Sequence, residues 1–241
     1  MSAARILALA VCVAGMAGAG PARAQEANAA AVLAPLEAAV TASPDDMRPA
    51  SEYRQAVIRL GEYDRALDFF EKLVAAHPKS ANAWLNYGYA YVDKIPAAGA
   101  ITQVILANSA VTQFSKSIEL ERSWLALYTR GNSYLFWPTI FGRAPLGVAD
   151  LEEAVAIARR EPKKKKVYVR SWIALGEGYW KTGETEKARA IWREGLQLFP
   201  GDPRLEALLA KNGDDLEAYI GEHLDPHKRV DTNLAPLWEA E

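Results

Sequence analysis

The chain has 241 residues, 28 Lys and Arg against 30 Asp and Glu, and a formal net charge of −2. That length suits one domain with a sizeable core, and the near balance of charge carries no global sign of a nucleic-acid binder. The single cysteine, Cys12, lies in the N-terminal segment, so the rest of the chain has no disulfide, thiol nucleophile or thiolate metal site to offer.

The N-terminus reads as a secretory leader. Arg5 precedes an apolar run from Ile6 to Ala17, and Ala22-Arg23-Ala24 forms a small-x-small site before Gln25. We expect cleavage after Ala24 and a periplasmic or secreted product. Lipidation at Cys12 is the competing reading, and it is disfavoured because Val11 stands where a small residue is usual. The apolar run is short for a bilayer, and no later stretch offers about twenty uninterrupted apolar residues. Loss of residues 1–24 removes Arg5 and Arg23 and no acid, so the 28 basic residues become 26 against an unchanged 30 acidic.

Residues 25–46 read as a lone capping helix with a stripe of Val32, Leu36 and Ala39, ended by Pro44. From residue 47 the pattern recurs as pairs of helices. The first pair has a degenerate opening at Tyr53 and Val57, then Gly61, Ala66, Phe70, Leu73 and Pro78. A second opens at Trp84, Tyr87-Gly88 and Tyr91 and closes with Ala110, Phe114 and Ser117. The third opens at Leu127, Arg130-Gly131 and Tyr134 and closes with Leu151 and Ala154. In the fourth, Trp172, Leu175 and Tyr179 share one helix face, Gly176 lets the neighbouring helix approach and Gly183 makes the turn. Ala188, Trp192 and Gly195 form the facing stripe, and Pro200 ends it. One such pair cannot bury its own stripe, so neighbours must stack on a shared interior.

The spacing in this fourth pair resembles the tetratricopeptide repeat, which places a bulky residue, Leu-Gly, Tyr, Ala, an aromatic and Pro at these intervals, departing here only at Gly195. The resemblance implies an all-α, right-handed α-solenoid of four units over 47–202, with insertions about 95–105 and 137–146. Capping helices follow over 203–224, where Asp202-Pro203 starts a helix, Asn212-Gly213 closes it and Asp214 or Asp215 caps the last. Residues 225–241 form a tail with little sign of regular structure.

In such a family the outward faces of the first helices build a concave groove. On that alignment the groove residues are Asn82, Asn86, Tyr89 and Asp93, then Tyr128 and Asn132, then Arg170, Glu177, Trp180 and Lys181. Rings and amides of this kind suit an extended peptide, and an ordinary solvated face is the competing reading. Some relatives grip a peptide carboxylate with paired lysines and asparagines, and Leu85 and Arg130 do not reproduce that set. Both insertions fall between a first and a second helix. They gather Ile101, Val104, Ile105, Phe136, Trp137, Ile140 and Phe141 on one edge, either packed on each other or open as a binding lip.

Other features read as surface. The basic run Arg159, Arg160, Lys163–Lys166 and Arg170 suits a solvated turn, with no aromatic interleaving for nucleic acid. His223 and His227 are four apart, but Pro226 interrupts the turn and the acid of a metal motif is missing. No phosphate loop, nucleophile elbow or dinucleotide fingerprint occurs, and adjacent acids such as Glu152-Glu153 do not face one another. We therefore expect no enzyme, no cofactor and no metal. The expected function is a periplasmic adaptor or scaffold for a protein or peptide partner, using groove and aromatic edge, with self-association left open. The alternative is a small-molecule binder with the insertions as a lid over an apolar pocket. The tail is a third element: it docks in its own groove or reaches a partner.

Overall fold

The computed structural model describes residues 21–226, 228 and 230–238, so the leader up to residue 20 and His227 lie outside the described residues. Among these, eleven α-helices follow one another: α1 (Pro21–Ala42), α2 (Met47–Leu60), α3 (Tyr63–Ala76), α4 (Ala81–Lys94), α5 (Ala100–Leu120), α6 (Trp124–Leu135), α7 (Ala144–Arg160), α8 (Val169–Lys181), α9 (Thr185–Leu198), α10 (Pro203–Ala210) and α11 (Gly213–His223). α1 to α10 pack chiefly on their chain neighbours, and the first helices of successive pairs also touch, α2 with α4 and α6 with α8. The architecture is an all-α solenoid.

Local chemistry sets the punctuation. Ser80 and Ser123 cap α4 and α6, their hydroxyls accepting from the amides of Ala83 and Ala126. Asp202 caps α10 by accepting from Arg204 and Leu205. Gly183 turns the fourth pair at φ 85°, in the left-handed region where a Cβ is costly. Gly88 and Gly176 do a different job: a Cβ at either would overlap the ring of Phe114 or Trp192 from the facing helix. Those rings are wholly buried, and the Trp192 indole donates to the carbonyl of Ile173 at 3.2 Å. The missing side chain on one helix therefore makes room for the largest one on its partner.

Three expectations are corrected. The buried stripe of α1 is Ala29, Leu33 and Val40, whereas Val32 and Ala39 face solvent. Alanine crowds this helix, so its weak hydrophobic contrast does not fix the face. Asn212-Gly213 does not close α10. It opens α11, with Asn212 as N-cap and Gly213 at φ 49°. The second unit's insertion extends its helix: after a 3-10 turn at Ile95–Ala97, α5 begins at Ala100 and runs 21 residues. The interior also comes in two parts meeting across α4. Ala83, Tyr87 and Ala90 face the core of α1–α3, whereas Leu85 and Tyr89 face the core running on to α11.

Candidate functional site

The inner faces of α2, α4, α6 and α8 form one surface, and the chain's own C-terminal segment covers it. From the end of α11, His223 faces Glu177 of α8, Nδ1 to Oε2 at 3.0 Å, and Arg204 of α10 donates to the other oxygen at 2.5 Å. Residues 230–238 then run back across α6 and α4 to α2. Asp231 lies 3.9 Å from the Arg170 guanidinium, Leu234 is buried, and Arg48 sits 5.4 Å over the Trp238 ring. The contacts at Arg54, Ser51 and Arg48 follow in order from Thr232 to Leu234 to Trp238, so the tail runs antiparallel to α2.

The centre of this contact is a buried polar network. Arg54, with 0 % exposure, donates to Asn86 Oδ1 at 3.2 Å, to Asp93 Oδ2 at 2.9 Å and to the Thr232 carbonyl at 3.1 Å. Its guanidinium lies 4.6 Å above the Tyr89 ring. The Thr232 hydroxyl donates to the second Asp93 oxygen, and Leu234 N–H reaches the Ser51 hydroxyl at 3.4 Å. The charge of Arg54 is thus met on three sides, two by the groove floor and one by the tail. Tyr89 shares a 2.5 Å hydrogen bond with Thr129, and burial pushes its phenol above the usual range.

A second feature lies beside the tail. An open pocket of about 370 Å³ is walled by Ile95 and Pro96 of the α4–α5 connection, by Ala100 and Val104 of α5, by Phe136, Trp137 and Phe141, and by Pro226 and Val230 of the tail. Trp137 is only 8 % exposed. It meets Phe141 edge to face at 5.6 Å, and Arg143 stacks on it at 3.8 Å while donating to Asn108 of α5 at 2.8 Å. The two insertions therefore touch and share one apolar hollow. Ile101 (81 % exposed), Ile105, Ile140 (90 % exposed) and Phe141 extend apolar surface beyond it. Along this edge Trp137 is packed and Ile140 is open.

A family model for the tetratricopeptide repeat matches residues 52–90 and 169–212. A thermophilic repeat protein of Thermus thermophilus superposes with a TM-score of 0.54 at 21% identity, covering 77% of this chain and 90% of that one. YrrB, described as a tetratricopeptide repeat protein with an unusual peptide-binding site, gives 0.50 at 15% identity, with 84% and 88% covered. Residues 52–90 and 169–212 are tetratricopeptide repeats. No curated protein matches the chain.

In this tetratricopeptide-repeat fold the ten groove residues named from sequence have several different jobs. Asn86, Tyr89 and Asp93 join the tail network, Arg170 pairs with Asp231, and Tyr128 and Asn132 lie beneath the tail. Glu177 is fully buried under α10 and α11. Asn82 bonds the Asp45 carbonyl at 2.8 Å, and Trp180 packs partly against the core. Lys181 donates to the carbonyls of Leu135 and Trp137, 2.7 Å for the latter, holding the aromatic loop, and burial lowers its pKa. Sequence reasoning missed Arg54, Ser51 and Thr232. The one available signal for Arg54 was a charge at a core spacing, one residue after Tyr53. The described residues contain no cluster of metal-ligand type, and no described helix is long and apolar enough to cross a membrane.

Proposed function

We propose that this repeat protein is an exported, non-catalytic binding scaffold that seats an apolar segment of a partner protein at its insertion edge. The observation that carries the reading is the open apolar pocket of about 370 Å³ continued outward by Ile101, Ile105, Ile140 and Phe141. Exposed apolar surface of this kind marks interaction sites. A small ligand sunk in the hollow leaves Ile101 and Ile140 in water, whereas a protein surface covers both. A peptide site on this type of fold has a parallel in YrrB. Export is supported by the leader-like start of the sequence and by a cysteine-free remainder.

A photocrosslinking residue at position 140 tests this in cells making the full chain, with position 197 on the exposed face of α9 as the control. A protein adduct of defined mass at 140, absent at 197 and lost when Ile101→Asp is added, is the expected result. The pocket also favours a second reading, an apolar small molecule held between the insertions. That reading predicts no protein adduct and a small molecule carried through purification, detected by native mass spectrometry. Finding neither overturns both.

A further inference from the structure

The geometry points to the concave groove as a second, gated site: the tail is a built-in stand-in for an extended partner segment carrying an acidic residue, then Thr or Ser, then any residue, then Leu. This site is separate from the insertion edge and stands whether or not the edge binds a partner.

The recognition chemistry is that of a peptide site. Arg54 takes a main-chain carbonyl, Asp93 takes a side-chain hydroxyl, Ser51 takes a main-chain N–H, and the groove encloses the apolar side chain of Leu234. Arg170 supplies the preference for an acid one residue before the hydroxyl. Nothing in this set requires the segment to belong to the same chain.

The contact is also built to open. The segment covers Arg54, Asp93, Asn86, Asn132 and Arg170 as well as the apolar Val92, Leu125 and Val167, so its seat is polar at the centre and apolar around it. Water can replace the tail's hydrogen bonds to the polar groups, so lifting it leaves Arg54 and Asp93 paired with each other and hydrated. The tail itself has only a 3-10 turn at Ala235–Leu237, and it leaves a gap of about 50 Å³ above the floor. Ordering about nine residues opposes the gain from a few net hydrogen bonds, the buried Leu234 and the partly buried Leu237 and Trp238, so docking is an equilibrium and not a fixed joint. Being tethered, the tail competes at an effective concentration of roughly millimolar, which masks the groove from weaker segments.

The probe is a fluorescein-labelled peptide with the sequence of residues 230–238, titrated by anisotropy into two full-length chains. One is wild type. The other carries Thr232→Ala and Leu234→Asp in its own tail, leaving the groove intact. The tail variant is expected to bind the probe at least about tenfold tighter than wild type, in proportion to the fraction of free groove. A probe carrying the same two changes is expected not to bind either chain. Circular dichroism melts establish that both chains are folded. Equal binding to both chains, or binding to neither, overturns the proposal and leaves the tail a fixed strap. A concentration-dependent dimer of wild type that the tail variant fails to form overturns the partner assignment in favour of tail exchange between copies.

Discussion

The guanidinium of Arg54 donates to the carbonyl of Thr232 at 3.1 Å, a hydrogen bond that ties α2 of the first repeat to a residue 178 positions later. The same cation neutralises Asp93, whose side chain is 2 % exposed. Removing one partner of a buried pair costs about 3–5 kcal/mol when the other stays dry. Here the chain has a cheaper escape, because lifting the tail rehydrates Asp93. We therefore expect Arg54→Met to release the tail before it unfolds the solenoid. Trypsin cleavage at Lys228 should accelerate at least about tenfold at a temperature where far-ultraviolet circular dichroism is unchanged.

Glu37 fastens α1 to the first repeat. Arg65 donates to both carboxylate oxygens at 2.7 and 2.8 Å, and the Tyr53 hydroxyl donates at 2.9 Å. The Arg65 hydrogen bond holds the Glu37 carboxyl below its ordinary value of 4.5, against the opposing effect of burial. A depressed carboxyl stabilises the fold above its unfolded pKa and loses that contribution as pH falls through the lower folded value. Glu37→Gln should cost about 1 kcal/mol at pH 7, allowing for partial exposure. The gap to wild type in urea unfolding should shrink at about pH 3, below the unfolded carboxyl range.

Trp137 and Ile140 are three residues apart and should behave oppositely. Trp137 is packed by Phe141 and Arg143, so Trp137→Ala should lower stability by about 3 kcal/mol, seen as a lower urea midpoint. Ile140 is 90 % exposed, so Ile140→Ser should leave stability within about 0.5 kcal/mol of wild type. Any partner bound at the edge should weaken with Ile140→Ser alone. Trp137→Ala is for this reason unsuitable as a surface control.

Gly176→Ala adds a methyl group where the Trp192 indole already lies. Gain in helix propensity offers about 1 kcal/mol, and overpacking costs about 1–3 kcal/mol. The indole bond to the Ile173 carbonyl is lost as the ring moves. A lower melting midpoint is expected, with larger replacements at Gly176 progressively worse.

Repeat architecture was legible because it is written locally. Trp172, Leu175 and Tyr179 share a face through helix geometry alone, and Gly176, Trp192 and Pro200 fall at fixed intervals from them. Where that local contrast fades, so does the reading: α1 is mostly alanine, and its pattern points Val32 inward where Leu33 belongs. The aromatic edge shows the same limit. Spacing groups Trp137 and Ile140 in one cluster, but which of them packs depends on Arg143 reaching Asn108 of α5 while stacking on Trp137.

The sequence by itself determined the helix pairs, their turns and, for α4 and α6, the side that faces inward, because helix periodicity and capping act within a few residues. Only the tertiary structure decided what lies against that inner side. Arg54, Asp93 and Thr232 carry no periodic signal relating them, and they meet because the solenoid curves its last segment back onto its first repeat, so that a buried charge finds its final hydrogen-bond acceptor at the far end of the chain.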